Sequence, residues 1–161
     1  MTDYEALIRL LTESNVEFII VGGAAATAHG SARLTEDLDI VYARSSENVA
    51  RLVSALRPYQ PYPRGAVPGL PFQWTERTII NGLNFTLITS IGAIDLFGEL
   101  IGGGGFADLL PDCLELKLFG TSCLCLSLER LIQVKRAAGR PKDLEAIAEL
   151  ELLLAAQRPE R

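Results

Sequence analysis

A mainly apolar run, residues 16–21, ends abruptly at Gly22-Gly23, and this feature constrains the fold most strongly. Its β-branched and aromatic residues predict a buried strand, because such side chains fit the pleated, half-buried surface of a sheet. The small residues 24–29 then predict a helix that ends at Gly30. A strand that leads through a glycine turn directly into a helix indicates a domain in which helices cover a sheet.

The rest of the chain alternates between strand and helix patterns. Helices are predicted at residues 4–13, 45–56, 127–139 and 141–157, and strands at 37–42, 93–97, 114–119 and 123–127. Asn81-Gly82 predicts the turn of a β-hairpin with arms at 78–80 and 83–89, and the Pro-rich residues 57–74 predict a long loop. This order predicts an α+β fold with a mixed β-sheet flanked by helices. Residues 1–161 are expected to form a single domain that includes a C-terminal helical pair, residues 127–157.

Composition narrows the classes of function. The 161 residues are 48% hydrophobic and 22% charged, with a formal net charge of −5, which argues against a broad nucleic-acid-coating surface but permits a small basic site. No apolar run reaches the roughly 18 residues needed to cross a bilayer. The start of the chain does not resemble a signal peptide, and the three cysteines are an odd count. We therefore expect a cytoplasmic protein with reduced thiols and no membrane partner.

The strongest chemical signal is the pair Asp37 and Asp39. Side chains alternate between the two faces of a strand, so these two carboxylates point the same way. Two adjacent carboxylates repel each other unless a cation lies between them, and oxygen ligands suit Mg²⁺ or Mn²⁺. The alternative interpretation is a solvated edge strand that carries two surface acids.

Two further features could complete a site around this pair. The Gly22-Gly23 turn would present backbone N–H groups to a phosphate, although a glycine pair alone is more often only a tight turn. Asp95 lies in the middle of an apolar strand, where a charge is seldom placed without a partner. It could be a third metal ligand or a general base, or it could lie on the exposed face of the sheet.

A local basic patch follows near the C-terminus. Residues 130–142 contain no acid and five basic side chains, Arg130, Lys135, Arg136, Arg140 and Lys142. Some of these could neutralise a triphosphate, whereas Lys135 and Arg136 could instead complement the dipole at a helix C-terminus. Asp143 could cap the last helix, or it could orient Arg140 or Lys135.

These motifs together resemble the signature of a known superfamily. Val21-Gly22-Gly23 and residues 30–40 (GSARLTEDLDI) look like the signature of nucleotidyltransferases with the DNA polymerase β fold. The likeness is nearest to the branch of minimal nucleotidyltransferases and AbiEii-type toxins. Residues 135–150 (KRAAGRPKDLEAIAEL) resemble that branch's C-terminal pattern. The resemblance implies a polymerase β-like fold over nearly the whole chain.

The resemblance also implies roles for individual residues. Gly22 and Gly23 would contact the triphosphate of a nucleotide, although many members have Gly-Ser at this place. Asp37, Asp39 and Asp95 would bind two Mg²⁺ ions. Lys135 would contact phosphate, with Arg140 and Asp143 in support.

The function implied is a Mg²⁺-dependent transfer of an NMP from an NTP to an acceptor hydroxyl. The acceptor could be an RNA end such as tRNA, a protein or a small molecule, and the chain could belong to a toxin–antitoxin pair. A partner protein encoded nearby and a homodimer are further expectations. Two other hypotheses stay open: a catalytically inactive nucleotide-binding or interaction module of the same fold, and an acid-cluster metal nuclease.

Other conspicuous residues have simpler explanations. We expect His29, the single histidine, to pack or to make a local hydrogen bond rather than to contact a nucleotide. The aromatic residues of the Pro-rich segment, Tyr62, Phe72 and Trp74, could stack on a base, but half-buried packing is the preferred interpretation.

Overall fold

The computed structural model describes residues 1–33 and 35–157 and shows a seven-stranded mixed sheet with helices packed on it. The helices are α1 (Tyr4–Glu13), α2 (Gly22–Ala28), α3 (Ser46–Leu56), α4 (Glu76–Asn81), α5 (Phe106–Leu109), α6 (Leu128–Ala138) and α7 (Pro141–Gln157). The strands are β1 (Phe18–Val21), β2 (Asp37–Tyr42), β3 (Tyr62–Pro63), β4 (Asn84–Thr89), β5 (Gly92–Phe97), β6 (Cys113–Leu118) and β7 (Thr121–Leu126). Two short 3₁₀ helices lie at Arg57–Tyr59 and Leu110–Asp112. The predicted α+β class is confirmed.

The strand order places β1 and β2, which lead into the glycine turn and carry Asp37 and Asp39, in the interior of the sheet. It runs β3-β4-β5-β2-β1-β7-β6, with β2–β5 and β1–β7 parallel and the other neighbours antiparallel. All four residues of β1 are buried, as its apolar run predicts. Because β2 lies between β1 and β5, Asp37 and Asp39 do not belong to an edge strand, and that alternative interpretation is wrong.

Side-chain caps set the beginnings of several helices. Ser45 accepts a hydrogen bond from the backbone N–H of Asn48 at α3, and Ser127 accepts one from Arg130 at α6. Such a cap is typically worth about 1 kcal/mol relative to alanine. Gly139 ends α6 with a φ of 66°, a left-handed conformation that glycine adopts without strain. Residues 127–157 therefore form the predicted helical pair, and α6 packs on α7.

The hairpin predicted around Asn81-Gly82 is wrong. Residues 76–81 form helix α4, which Thr75 caps and which buries Ile79 completely. Gly82 has a φ of −101°, so it does not make the positive-φ turn that an Asn-Gly hairpin requires. The actual hairpin joins β4 to β5 through Ser90 and Ile91.

The Pro-rich segment is more ordered than the predicted loop. It contains a 3₁₀ helix and β3, which pairs with β4 at the edge of the sheet, where a proline is tolerated. Trp74 is buried and its Nε1–H donates to the carbonyl of Val53 at 2.9 Å. The rings of Tyr62 and Phe72 meet edge to face at 6.1 Å. These aromatic residues pack, as the preferred interpretation has it.

The remaining predictions concern His29, membrane-spanning helices and the extent of the domain. His29 Nε2 lies 2.8 Å from the carbonyl oxygen of Leu126, so His29 makes a hydrogen bond, but with a residue 97 positions away rather than the local one expected. Within the described residues, no helix combines the length and the apolarity needed to cross a bilayer. Residues 158–161 of the predicted domain lie outside the described part, and the single domain stays a prediction.

Candidate active site

Three aspartates from two neighbouring strands meet at one end of the sheet. In the parallel ladder of β2 and β5, Asp39 lies opposite Asp95, and Asp37 lies two residues earlier on the same face of β2. One carboxylate oxygen from each of the three lies within 4.8 Å of the others. The structure therefore brings together the predicted carboxylates, and the Asp95 side chain is 14% exposed and lies within this cluster.

The electrostatics of this cluster disfavour three free negative charges. Burial, together with the nearby Asp37 and Asp95, raises the pKa of Asp39 to about 8. Burial and Asp37 raise the pKa of Asp95 to about 6, against a lowering effect of Arg64. Oδ1 of Asp39 is buried and receives no hydrogen bond from any residue in the described part of the chain. Unpaired, mutually repelling carboxylate oxygens are a donor set that fits a hard divalent cation.

The glycine turn lies directly against this cluster. Gly22 has a φ of 60°, and a Cβ at this position would overlap the carboxylate of Asp39. At Gly23, a Cβ would lie 2.8 Å from the hydroxyl oxygen of Thr35. The Thr35 hydroxyl donates to the carbonyl of Asp37 at 3.2 Å, and the Thr35 carbonyl accepts from the Tyr4 hydroxyl at 2.6 Å. Thr35 thus occupies the space that a serine at position 23 would need.

The basic side of the site is organised by a buried acid on α7. Asp143 is 2% exposed; its Oδ2 accepts from Nε of Arg140 at 2.6 Å, and its Oδ1 accepts from NH2 at 3.2 Å. Lys135 Nζ lies 4.0 Å from the same carboxylate. Although burial disfavours the charged form, the hydrogen bond from Arg140 holds the pKa of Asp143 below its ordinary value. Asp143 also accepts from the Arg140 backbone N–H at 3.3 Å, so it both caps α7 and orients the two cations.

Burial lowers the pKa of Lys135, and Asp143 opposes this shift. The side chain is 20% exposed, so its ammonium group is partly desolvated rather than fully in water. A partly desolvated cation beside an open cleft gains more from an incoming phosphate than a surface lysine does.

A cleft of about 690 Å³ joins the acidic and the basic sides. All of the predicted site residues line it: Gly22, Gly23, Asp37, Asp39, Asp95, Lys135, Arg140 and Asp143. The carboxylates come from the sheet, whereas the cations come from α6 and from the turn before α7. This arrangement places three carboxylates and two cationic side chains around one cavity.

Two residues at the site were not predicted from the sequence. Arg64, just after β3, lies with NH2 2.9 Å from Asp95 Oδ1 and 3.7 Å from Asp37 Oδ2. Glu149 on α7 accepts hydrogen bonds from the Ser31 hydroxyl at 2.7 Å and from Arg33 Nε at 2.8 Å. These bonds connect the segment before β2 to α7. Arg64 belongs to no motif, and Glu149 lies within the C-terminal pattern of residues 135–150 but was given no role there, so no signal in the sequence distinguishes them from ordinary surface charges.

Comparison with models of protein families finds no match, and comparison with curated proteins finds none either. Solved structures do resemble the chain. The lincosamide antibiotic adenylyltransferase LnuA, in a lincomycin-bound crystal structure, matches with a TM-score of 0.61 and 15% identity over 94% of this chain and 98% of LnuA.

The antibiotic-resistance factor ANT(2'')-Ia gives two further matches. Its solution structure has a TM-score of 0.53 and 18% identity, over 95% of this chain and 87% of that chain. Its crystal structure with adenylyl-2''-tobramycin has a TM-score of 0.51 and 17% identity, over 95% and 92%. The chain therefore has the nucleotidyltransferase fold that the resemblance implies.

Proposed function

We propose that this protein is a metal-dependent nucleotidyltransferase that moves an NMP from an NTP to an acceptor hydroxyl. The observation that carries the proposal is that one cleft is lined by the clustered Asp37, Asp39 and Asp95 and also by Lys135 and Arg140. Acids with raised pKa values that gather in a cleft are candidates for a catalytic site. The shared fold of LnuA and ANT(2'')-Ia supports the same reaction class.

Asp37, Asp39 and Asp95 are the residues that would hold the metal, two Mg²⁺ or Mn²⁺ ions in this proposal. The unpaired Oδ1 of Asp39 and the convergence of all three carboxylates are the features that fit such ions. When bound, ions of this kind neutralise developing charge on a transferring phosphoryl group and align its partners.

The chain's own residues would bind and orient the nucleotide. Lys135 and Arg140 would pair with the triphosphate, and Asp143 would hold both cations in place. Gly22 and Gly23 would contact the triphosphate through their backbone, because neither residue carries a side chain of its own. Pyrophosphate would leave on this basic side as the acceptor oxygen bonds to the α-phosphorus.

Asp95 could also accept the proton of the attacking hydroxyl. Burial and Asp37 raise its pKa to about 6, which is closer to neutral pH than an ordinary aspartate and suits a general base. A role as a metal ligand would use the same carboxylate.

A small-molecule hydroxyl is the acceptor that the observations favour. A cleft of about 690 Å³ is of the size that encloses small ligands, and the net charge of −5 does not favour a long RNA track. Two of the matched structures hold an antibiotic or its adenylylated form. A tRNA end or a protein hydroxyl is the alternative, and the AbiEii-type branch, the toxin–antitoxin role, the partner protein and the homodimer stay predictions.

A nucleotide-binding module without turnover is the second candidate. It is favoured by one observation: position 23 is glycine and so carries no hydroxyl, and Thr35 occupies the space that a serine side chain would need there. Such a module would bind an NTP in the same cleft and would transfer nothing.

The test is a label-transfer assay with purified protein. Each α-³²P-labelled NTP is incubated with Mg²⁺ or Mn²⁺ and, separately, with lincosamides, aminoglycosides, total tRNA and total cell protein. Metal-dependent label on an acceptor, absent from the Asp39→Asn variant, supports the transferase. NTP binding without transfer to any acceptor supports the module, and shortened RNA without label indicates a nuclease.

A further inference from the structure

Arg64 is the side chain that most directly contacts the acidic cluster, and it comes from outside the motifs that define the site. β3 pairs with β4 through Pro63 and Leu87, and the Arg64 backbone N–H then donates to the Thr86 carbonyl at 2.9 Å. Thr86 lies opposite Asp95, and Asp95 lies opposite Asp39. Residues opposite one another in a ladder share a face of the sheet, so Arg64 lies in the same row as the carboxylates.

The guanidinium of Arg64 bridges two of the three carboxylates. NH2 lies 2.9 Å from Asp95 Oδ1 and 3.7 Å from Asp37 Oδ2, while NH1 donates to the Leu87 carbonyl at 3.1 Å. Two neighbouring carboxylates repel each other less when a cation lies between them, and Arg64 places a cation between Asp37 and Asp95.

The contact with Asp95 is an ion pair rather than a well-aligned hydrogen bond. Oδ1 of Asp95 is buried and receives no hydrogen bond from the described residues, despite the short distance to Arg64. The Arg64 side chain keeps 33% of its surface exposed. Gly65, the next residue, has a φ of 82°, and nothing lies within 4 Å of the position that a Cβ would take there; residues 67–70 are exposed. A partly exposed arginine that is followed by an exposed segment has room to move its guanidinium away from the carboxylates.

We propose that Arg64 is a built-in counter-cation that competes with the divalent metal for Asp37 and Asp95, so that metal loading requires the guanidinium to leave them. The inference rests on the proposed metal site. Arg64 is then a positioning residue: it holds the metal-free acids together and sets the affinity for the ion. The opposite role is a supporting one, in which Arg64 stays on Asp95 and orients it toward the ion. The two roles predict opposite changes in metal affinity.

The experiment measures Mn²⁺ binding to the purified protein by calorimetry and by electron paramagnetic resonance, without nucleotide. The variants are Arg64→Ala and Arg64→Lys, with Arg51→Ala as the control because Arg51 is an exposed arginine on α3. Competition predicts that Mn²⁺ binds Arg64→Ala about 10-fold more tightly than wild type, with an intermediate value for Arg64→Lys. Arg51→Ala should bind as wild type does.

Thermal unfolding provides a second readout. Arg64→Ala should melt below wild type without metal, and the difference should shrink with saturating Mn²⁺, because both proteins then lack the ion pair. Equal or weaker Mn²⁺ binding by Arg64→Ala would overturn the role of Arg64 while the metal site stands. Binding that survives Asp39→Asn, or no binding to wild type and Arg64→Ala alike, would overturn the metal site itself and this inference with it.

Discussion

Gly22 lies so close to Asp39 that any side chain at position 22 would overlap the Asp39 carboxylate. The two residues are linked by the sheet, because Val21 at the end of β1 is the ladder partner of Asp39 on β2. The glycine turn and the acidic pair are therefore one structural unit, in which the turn shapes the space around the central carboxylate.

We expect Gly22→Ala to destabilise the protein and to abolish Mn²⁺ binding. An alanine backbone would be strained at a φ of 60°, and its methyl group would displace the Asp39 carboxylate. We expect a loss of stability of about 1–3 kcal/mol. Urea unfolding and Mn²⁺ calorimetry measure the two effects. Gly69→Ala is the matched control, since Gly69 has a φ of 90° but nothing within 4 Å. If Gly69→Ala costs as much stability as Gly22→Ala, the overlap with Asp39 has no energetic role.

Asp39→Asn should abolish transfer and should stabilise the metal-free protein at high pH. The native pKa of about 8 lies above the ordinary value, so native Asp39 keeps its proton between about pH 4 and pH 8. Stability linked to this group is greatest below pH 4 and falls as pH rises through that window. Asparagine carries no charge, so the variant should be more stable than wild type by about 1–3 kcal/mol at pH 9.

Urea unfolding in EDTA at pH 5, 7 and 9 tests this difference, since titrations of the other groups are largely common to both proteins. Saturating Mg²⁺ at pH 8 should raise the stability of wild type but not of Asp39→Asn. Parallel pH profiles of stability for the two proteins would show that the charge of Asp39 does not destabilise the fold. Full Mg²⁺-dependent activity in the variant would show that Asp39 is not a metal ligand.

Lys135→Ala should weaken NTP binding by about 10- to 100-fold. A partly desolvated ammonium that pairs with phosphate contributes roughly 1.5–3 kcal/mol, and each 1.4 kcal/mol is a factor of ten. Calorimetric titration of an NTP at low and high salt measures the loss, which added salt should reduce if the pair is accessible to solvent. Lys117→Ala on the edge strand β6 removes the same charge at an exposed position away from the cleft. If Lys135→Ala and Lys117→Ala bind the NTP with equal affinity, Lys135 does not contribute to NTP binding.

Asp143→Ala should destabilise the protein and weaken NTP binding together. Arg140 and Lys135 would lose the carboxylate that orients them, and because the Arg140 side chain is 60% exposed and stays solvated, the loss costs about 1–3 kcal/mol. Urea unfolding and NTP titration measure the two effects. Glu151→Gln is the control, because its pair with Arg136 is about half exposed. A loss of stability with unchanged NTP affinity would limit Asp143 to a structural cap of α7.

Several parts of the site could be predicted because the evidence for them is local. The period-two alternation of a strand places Asp37 and Asp39 on one face whatever else the chain does. The caps at Ser45 and Ser127 depend on contacts three residues away. The same local reasoning failed at Asn81-Gly82, where the burial of Ile79 against the rest of the protein favours a helix over a hairpin arm.

The sequence by itself thus determined the acidic strand, the glycine turn, the basic C-terminal segment and the class of fold. Only the tertiary structure decided which of these meet. The parallel register of β2 and β5 brings Asp95 to Asp39, the edge pairing of β3 brings Arg64 to both Asp37 and Asp95, and Thr35 closes the space beside Gly23. These contacts join residues from different elements, and their energies depend on burial and register, which no local pattern of side chains encodes.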